Sequence, residues 1–205
     1  MKRIALAAAL LAPLHAVATE PVLGACDGCE AVFVGRPAAP PAIARIAPAG
    51  EAGEPLQWRG RTLDANGKPV AGIVVYAYQT DASGRYPRDP AQDDAAARRH
   101  GRLRGWALSN AQGRFGFDTI RPAGYPGTSV PEHIHVHVIE PGRCTYYIDD
   151  VNFRDDPRLK ASSTSHDGRG GSGVVEAKRD ASGTWQVERD IVLGRNLPDY
   201  ARCGG

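Results

Sequence analysis

Four side chains in this sequence have the chemistry to hold a metal together: Tyr86, Tyr125, His133 and His135. They stand in the segments Gly84-Arg85-Tyr86, Pro122-Ala123-Gly124-Tyr125-Pro126 and His133-Ile134-His135. Two phenolates and two neutral imidazoles make a hard, partly anionic donor set. It suits an oxidised ion such as ferric iron, Fe(3+), better than zinc, which favours thiolate and imidazole. On a strand, residues two apart share one face about 6.6 Å apart. The rings of His133 and His135 are therefore expected on one side, with His137 one step further along it. Such a row is more often a set of polar, partly exposed histidines than a ligand set, so the tyrosines carry the argument. Each follows a glycine in a loop, where a side chain can reach back over a strand face.

The elements that must position these residues read as short strands. Leu56 to Leu63 alternates, Ala65-Asn66-Gly67-Lys68-Pro69 is a turn, and Ile73 to Tyr78 is a β-branched and aromatic run. Trp106 to Ser109 and Arg114 to Phe117 flank the turn Asn110-Ala111-Gln112-Gly113, which predicts a hairpin. Strands are expected over 133–139 and 146–153, a Gly/Ser-rich loop over 155–173, and two closing strands around Asp180-Ala181-Ser182-Gly183. Ala95 to Arg99 reads as one helical turn. Regular turn signals between short strands indicate an all-β fold, an antiparallel sandwich or barrel with long loops and little helix.

The N-terminus reads as an export signal over residues 1–18. Met1-Lys2-Arg3 is basic, Ile4 to Leu14 is apolar, and Ala16-Val17-Ala18 is an A-x-A cleavage site. The expected location is periplasmic or secreted. A lipoprotein anchor at Cys26, suggested by Leu23-Gly24-Ala25-Cys26, is the weaker reading, because Thr19-Glu20-Pro21 separates that cysteine from the apolar run. No stretch approaches the ~20 apolar residues of a membrane span. Residues 19–55 form a Cys-containing arm and Pro/Ala-rich linker, and residues 56–205 the β-domain. The charge is +2 over the whole chain, and loss of Lys2 and Arg3 leaves it balanced, so nucleic acid is not an expected partner. The number of subunits stays open, a homo-oligomer included.

The four cysteines, Cys26, Cys29, Cys144 and Cys203, read as two disulfides in an exported chain. A redox or zinc role for Cys26-x-x-Cys29 lacks partner motifs. Of three connectivities, the favoured one has Cys26 and Cys29 each pinning a distant segment, because a bridge between them closes a trivial loop.

Over roughly residues 56–157 the sequence resembles the intradiol ring-cleavage dioxygenases, of the protocatechuate 3,4-dioxygenase-like, single-domain exported type. The matching stretches are Gly67 to Gly72, Gln79 to Tyr86, Gly113 to Pro126 and Pro131 to His135. The resemblance implies a prealbumin-like β-sandwich and Tyr86, Tyr125, His133 and His135 as ferric ligands and catalytic residues. Tyr125 would be the tyrosinate that leaves the metal when substrate binds, and Tyr86 the one that stays. The implied activity inserts both atoms of O2 between the two hydroxylated carbons of a catechol, giving a cis,cis-muconate-type product.

Three positions depart from the family pattern. Val130 stands where the family has a substrate-polarising arginine, Asp150 where it has a glutamine, and Gly127 where some relatives carry a tryptophan. Arg88, Arg98, Arg102 and Arg104 are candidate replacement cations. Two competing readings are a non-catalytic secreted sandwich that binds partners, and a degenerate relative that keeps iron without turnover. The Tyr/Tyr/His/His set speaks against the first, since a binding module does not need it.

Overall fold

Period-2 alternation with β-branched and aromatic residues on one face produces strands whose apolar sides must be covered. In the computed structural model, which describes residues 21–24, 28–160 and 168–203, twelve strands solve this as two packed sheets. In chain order they are β1 (Val22–Leu23), β2 (Ile43–Arg45), β3 (Pro55–Leu63), β4 (Val74–Gln79), β5 (Arg104–Leu108), β6 (Arg114–Ile120), β7 (His133–Glu140), β8 (Cys144–Phe153), β9 (Val174–Val175), β10 (Lys178–Arg179), β11 (Trp185–Glu188) and β12 (Ile191–Val192). One sheet runs β1-β8-β7-β4-β5, with β9 on β8; the other runs β10-β11-β3-β6-β2, with β12 on β3. The long central pairs are antiparallel. The short strands β1, β2, β9, β11 and β12 join in parallel, which makes both sheets mixed.

The core lies between the sheets. Trp58, Phe115 and Phe117 from one sheet meet Val75, Ala77, Ile134, Val136, Val138 and Ile148 from the other. The indole of Trp58 is fully buried, with ring centroids 5.4 Å from Phe115 and 5.2 Å from Phe117. Burying side chains of this size contributes about 1.5–3 kcal/mol each.

The first sheet is also covered on its outer face. A turn of 3-10 helix at Cys29–Val32 and the helix α1 (Ala95–His100) lie there, and Val32 packs on Val74, Tyr76, Trp106 and Ile139. Asp94 caps α1 by accepting from the Ala97 amide at 2.9 Å. Segments of the N-terminal arm thus contribute strands to both sheets and part of the cover. Among the described residues, no helix is long and apolar enough to cross a membrane.

Two expectations are corrected. The segments around Asn110–Gly113 do not form a hairpin: β5 pairs with β4 and β6 with β3, in opposite sheets. The tight turn is present, with Gly113 N–H donating to Asn110 at 2.8 Å. It acts as an arch, because Ala107 and Phe115 both need the same core and only a crossover buries both. The favoured disulfide pairing is also overturned, since Cys144 bonds Cys203 across a separation of 59 residues. Cys29 is disulfide-bonded, and Cys26 lies outside the described residues, as do the signal segment and its cleavage site.

The Cys144–Cys203 bridge holds the C-terminal turn against β8, next to a buried Glu140 that accepts from Tyr146 at 2.6 Å and Tyr200 at 2.7 Å. Closing a loop of that length is worth about 4 kcal/mol in the chain-entropy estimate. Cys203→Ser is expected to lower unfolding stability by about 2–4 kcal/mol, read from denaturant midpoints of oxidised protein. An unchanged midpoint would show the bridge to be dispensable.

Candidate metal centre

Alternation along β7 decides which side chains meet. Ile134, Val136 and Val138 enter the core, so His133, His135 and His137 face outward from the first sheet, beside Tyr76 and Tyr78 of β4. The chain leaving β4 turns at once. The Asp81 carboxylate accepts from Ser83 N at 2.8 Å, Ser83 Oγ at 2.6 Å and Arg85 N at 3.2 Å, a turn that throws Tyr86 back over the sheet. The loop after β6 carries Tyr125 to the same spot. It is tied to the first turn by Ala123 N–H donating to Asp81 O at 3.1 Å and Thr80 Oγ1 donating to Ala123 O at 2.7 Å. Arg121 anchors both ends of this loop, pairing with Glu132 at 2.7 Å and Asp155 at 2.8 Å. Its guanidinium lies between the rings of Phe153 and Trp185.

The four side chains singled out in the sequence converge. Tyr86 Oη lies 2.6 Å from Tyr125 Oη and 2.8 Å from His135 Nε2. Tyr125 Oη lies 3.2 Å from His133 Nε2 and 3.3 Å from His135 Nε2, and the two Nε2 atoms are 3.1 Å apart. Donor atoms at right angles around one ion, with bonds of about 2.0–2.1 Å, stand about 2.9 Å apart. The cluster has that spacing.

Protonation makes the same point. His133 Nδ1 contacts the Pro131 carbonyl at 2.7 Å, and His135 Nδ1 contacts the Asp150 carboxylate at 2.9 Å. Both acceptors require an N–H there, so each ring turns its Nε2 toward the cluster. The two Nε2 atoms, 3.1 Å apart, face the Tyr86 and Tyr125 hydroxyls, which can donate to them and whose place as partner a cation would take. Burial pushes the His133 pKa down, which keeps its ring neutral and available as a donor. Burial also pushes both Tyr86 and Tyr125 up, so the protein alone does not ionise the phenols. A highly charged cation would reverse that by drawing off the phenolic protons. The donor set therefore fits a hard ion of high charge.

Asp150 could also be counted as a ligand, since it offers an oxygen within 4.8 Å of ligand atoms of His133 and His135. Its oxygen lies on the Nδ1 side of His135, opposite the converging atoms, so it orients the ring instead. Tyr78 holds the other side: its ring stacks on His135 at 4.4 Å and on His100 at 3.6 Å. His137, on the ligand face, does not join the cluster. It is buried against Tyr76 and Tyr147, and burial lowers its pKa to about 3.

Two of the candidate replacement cations have partners elsewhere, and two are at the surface. Arg102 pairs with Glu51 at 2.6 Å, Arg104 lies over the Trp106 ring, and Arg88 and Arg98 are exposed. A different arginine stands beside Val130: Arg158 Nη1 donates to the Val130 carbonyl at 3.5 Å. Gly127 faces open space. The orienting role of Asp150 and the stacking of Tyr78 were not read from the sequence; the Tyr78 contact had a signal, because 78 shares strand parity with Tyr76 on the outward face.

Residues 33–167 match the sequence model of the dioxygenase family, and the chain belongs to that family, the intradiol dioxygenases. It is 34% identical over 116 residues to the protocatechuate 3,4-dioxygenase beta chain of Burkholderia cepacia, covering 52% of this chain and 49% of that one. It is 31% identical over 164 residues to the 6-chlorohydroxyquinol 1,2-dioxygenase of Cupriavidus pinatubonensis, covering 72% and 56% respectively. The chain thus spans about half the length of these relatives. In fold it resembles the dioxygenase domain of a dioxygenase–carbohydrate-binding protein fusion from Streptomyces sp. SirexAA-E, with TM-score 0.55 and 24% identity over 78% of this chain and 94% of that domain.

The two tyrosine loops touch at Gly84, which has φ +77° and whose absent Cβ would lie 2.2 Å from the Gly124 carbonyl oxygen. Gly67 has a similar φ of +78° with no atom within 4 Å of its would-be Cβ. Gly67→Ala is expected to cost about 1–2 kcal/mol from backbone strain alone, with metal uptake intact. Gly84→Ala is expected to cost more and to lose metal uptake, because the loops must part. Calorimetry and metal analysis of both variants check this; equal effects would refute the contact.

Proposed function

We propose that this chain is an exported non-haem iron(III) intradiol dioxygenase, which inserts both atoms of O2 between the hydroxylated carbons of a catechol to give a muconate-type dicarboxylic acid. The observation that carries this is the convergence of Tyr86 Oη, Tyr125 Oη, His133 Nε2 and His135 Nε2 at mutual separations of 2.6–3.3 Å. A ferric ion held by these four supplies Lewis acidity, which lowers the pKa of bound phenols and catechol hydroxyls.

The side chains have separate tasks. His133 and His135 present Nε2 to the cluster because the Pro131 carbonyl and Asp150 hold their Nδ1 protons. The Tyr86 ring lies beside Tyr78, with centroids 5.9 Å apart, which suits a ligand that remains in place. Tyr125 sits on the loop between β6 and β7, whose turn is closed by Thr128 Oγ1 donating to the Tyr125 carbonyl at 3.0 Å. As a phenolate, Tyr125 would be placed to take a catechol proton at Oη. The names of the relatives, protocatechuate and 6-chlorohydroxyquinol dioxygenases, make substituted catechols the substrates to try first. Export rests on residues 1–18, and the mature chain is expected to begin at Thr19, as N-terminal sequencing of exported protein would show.

Ferric-loaded protein is expected to absorb in the visible through tyrosinate-to-iron charge transfer. Tyr86→Phe and His135→Ala are each expected to abolish both the colour and ring cleavage. A panel of catechol, protocatechuate and hydroxyquinol, followed by muconate absorbance, tests the reaction. A protein that stays colourless after ferric loading would refute the iron site. A coloured protein whose spectrum no catechol changes would favour the iron-binding, non-catalytic reading that Val130 and Asp150 motivate.

A further inference from the structure

We propose that Asp150 is a positioning residue for His135, and that its carboxylate biases an ion held by the quartet toward the higher oxidation state. This rests on the reading of the quartet as an iron site. It concerns the position where the resembled family carries a neutral glutamine.

The geometry begins with a β-bulge. β7 and β8 pair in register at Ile134↔Val151 and again at Val136↔Ile148, so β8 contains one residue more than β7 in between. Asp149 and Asp150 together face His135. A bulge re-aims a side chain. Here Asp150 is turned to the outward face, while Ile148 and Val151 on either side both stay in the core.

The bulge is pinned from two directions. Arg189, 4% exposed, donates through Nη1 to the Asp149 carbonyl at 2.6 Å. Arg169 pairs with the Asp149 carboxylate at 2.9 Å. Among the described residues, Nε and Nη2 of the buried Arg189 have no hydrogen-bond partner, which leaves a cation close to the two carboxylates.

Asp150 Oδ1 then accepts twice, from His135 Nδ1 at 2.9 Å and from Tyr147 O–H at 2.5 Å. The first contact sets the His135 tautomer and aims Nε2 at the two tyrosines. A carboxylate behind a ligand imidazole also makes the ring a stronger donor. The Asp150 carboxylate places a negative charge behind His135 that a neutral glutamine would not supply. The anion therefore favours ferric over ferrous iron.

The test uses the full chain as wild type, Asp150→Asn and Tyr147→Phe. Asp150→Asn keeps the size and removes the charge. It is expected to weaken ferric binding 10- to 100-fold in chelator competition. With ferrous affinity unchanged, the midpoint potential rises by about 60–120 mV at 59 mV per tenfold. Tyr147→Phe keeps the charge and is expected to give a smaller loss with the midpoint near that of wild type. In metal-free wild type, nitrogen NMR of His135 is expected to show the Nδ1-protonated tautomer. Unchanged ferric affinity and midpoint in Asp150→Asn, or an Nε2-protonated His135 in metal-free wild type, would overturn the inference and leave the iron reading standing. A wild-type protein that takes up no ferric ion would instead overturn the iron reading, and the redox bias with it.

Discussion

β7 serves two masters through one geometric rule. Its neighbours in sequence point to opposite faces, so the residues that build the core and those that build the site alternate along a single strand. Ile134, Val136 and Val138 are fully buried between the sheets, and this locks His133, His135 and His137 onto the outer face. Slipping β7 by one residue would bury the imidazoles in the apolar core and expose the aliphatic chains. The energy that holds the sandwich together therefore also fixes where the imidazoles stand. The ladder to β4 extends the rule by placing Tyr78 opposite His135, where the rings stack.

Burial sets the electrostatics of the outer face. Taking phenols and imidazoles out of water favours their neutral forms, which is why the Tyr86 and Tyr125 pKa values rise and that of His133 falls. Asp150 goes the other way. Burial alone would raise its carboxyl, but the hydrogen bond and charge of His135, helped by Tyr147, outweigh it and hold the pKa below the usual carboxylate range. A negative charge is thus maintained behind the His135 ring. The turn at Cys29–Val32 packs on the Tyr76 and Trp106 part of this sheet face, and His100 closes the stack over Tyr78.

The loops that carry the tyrosines are held by interactions between each other more than by their own strands. The Asp81 turn, the Thr80–Ala123 hydrogen bond and the approach of Gly84 to the Gly124 carbonyl make one rigid corner from two chain segments. Arg121 ties that corner to the start of β7 through Glu132 and to the end of β8 through Asp155. All three sources of the quartet are thereby joined independently of any ion, a form of preorganisation that spares a metal the cost of ordering its ligands.

Much of this was legible in the residues. Strand positions, the turns at Asn66-Gly67 and Asn110–Gly113, the helical turn at Ala95 and the set Tyr86, Tyr125, His133 and His135 follow from local periodicity, turn chemistry and donor type, which a sequence carries directly. Pairing does not. The same Asn110–Gly113 turn serves a hairpin or an arch, and only the shared core beneath Ala107 and Phe115 selects the arch. Likewise, four cysteines leave three pairings, and the packing of the C-terminal turn on β8 selects Cys144 with Cys203. Strand alternation puts Asp149 and Asp150 on opposite faces, and the bulge against β7 decides that Asp150 meets His135. By itself the sequence determined which chemistry was on offer. Tertiary structure decided which groups touch, because register, crossover and bulges depend on contacts between segments that lie far apart in the chain.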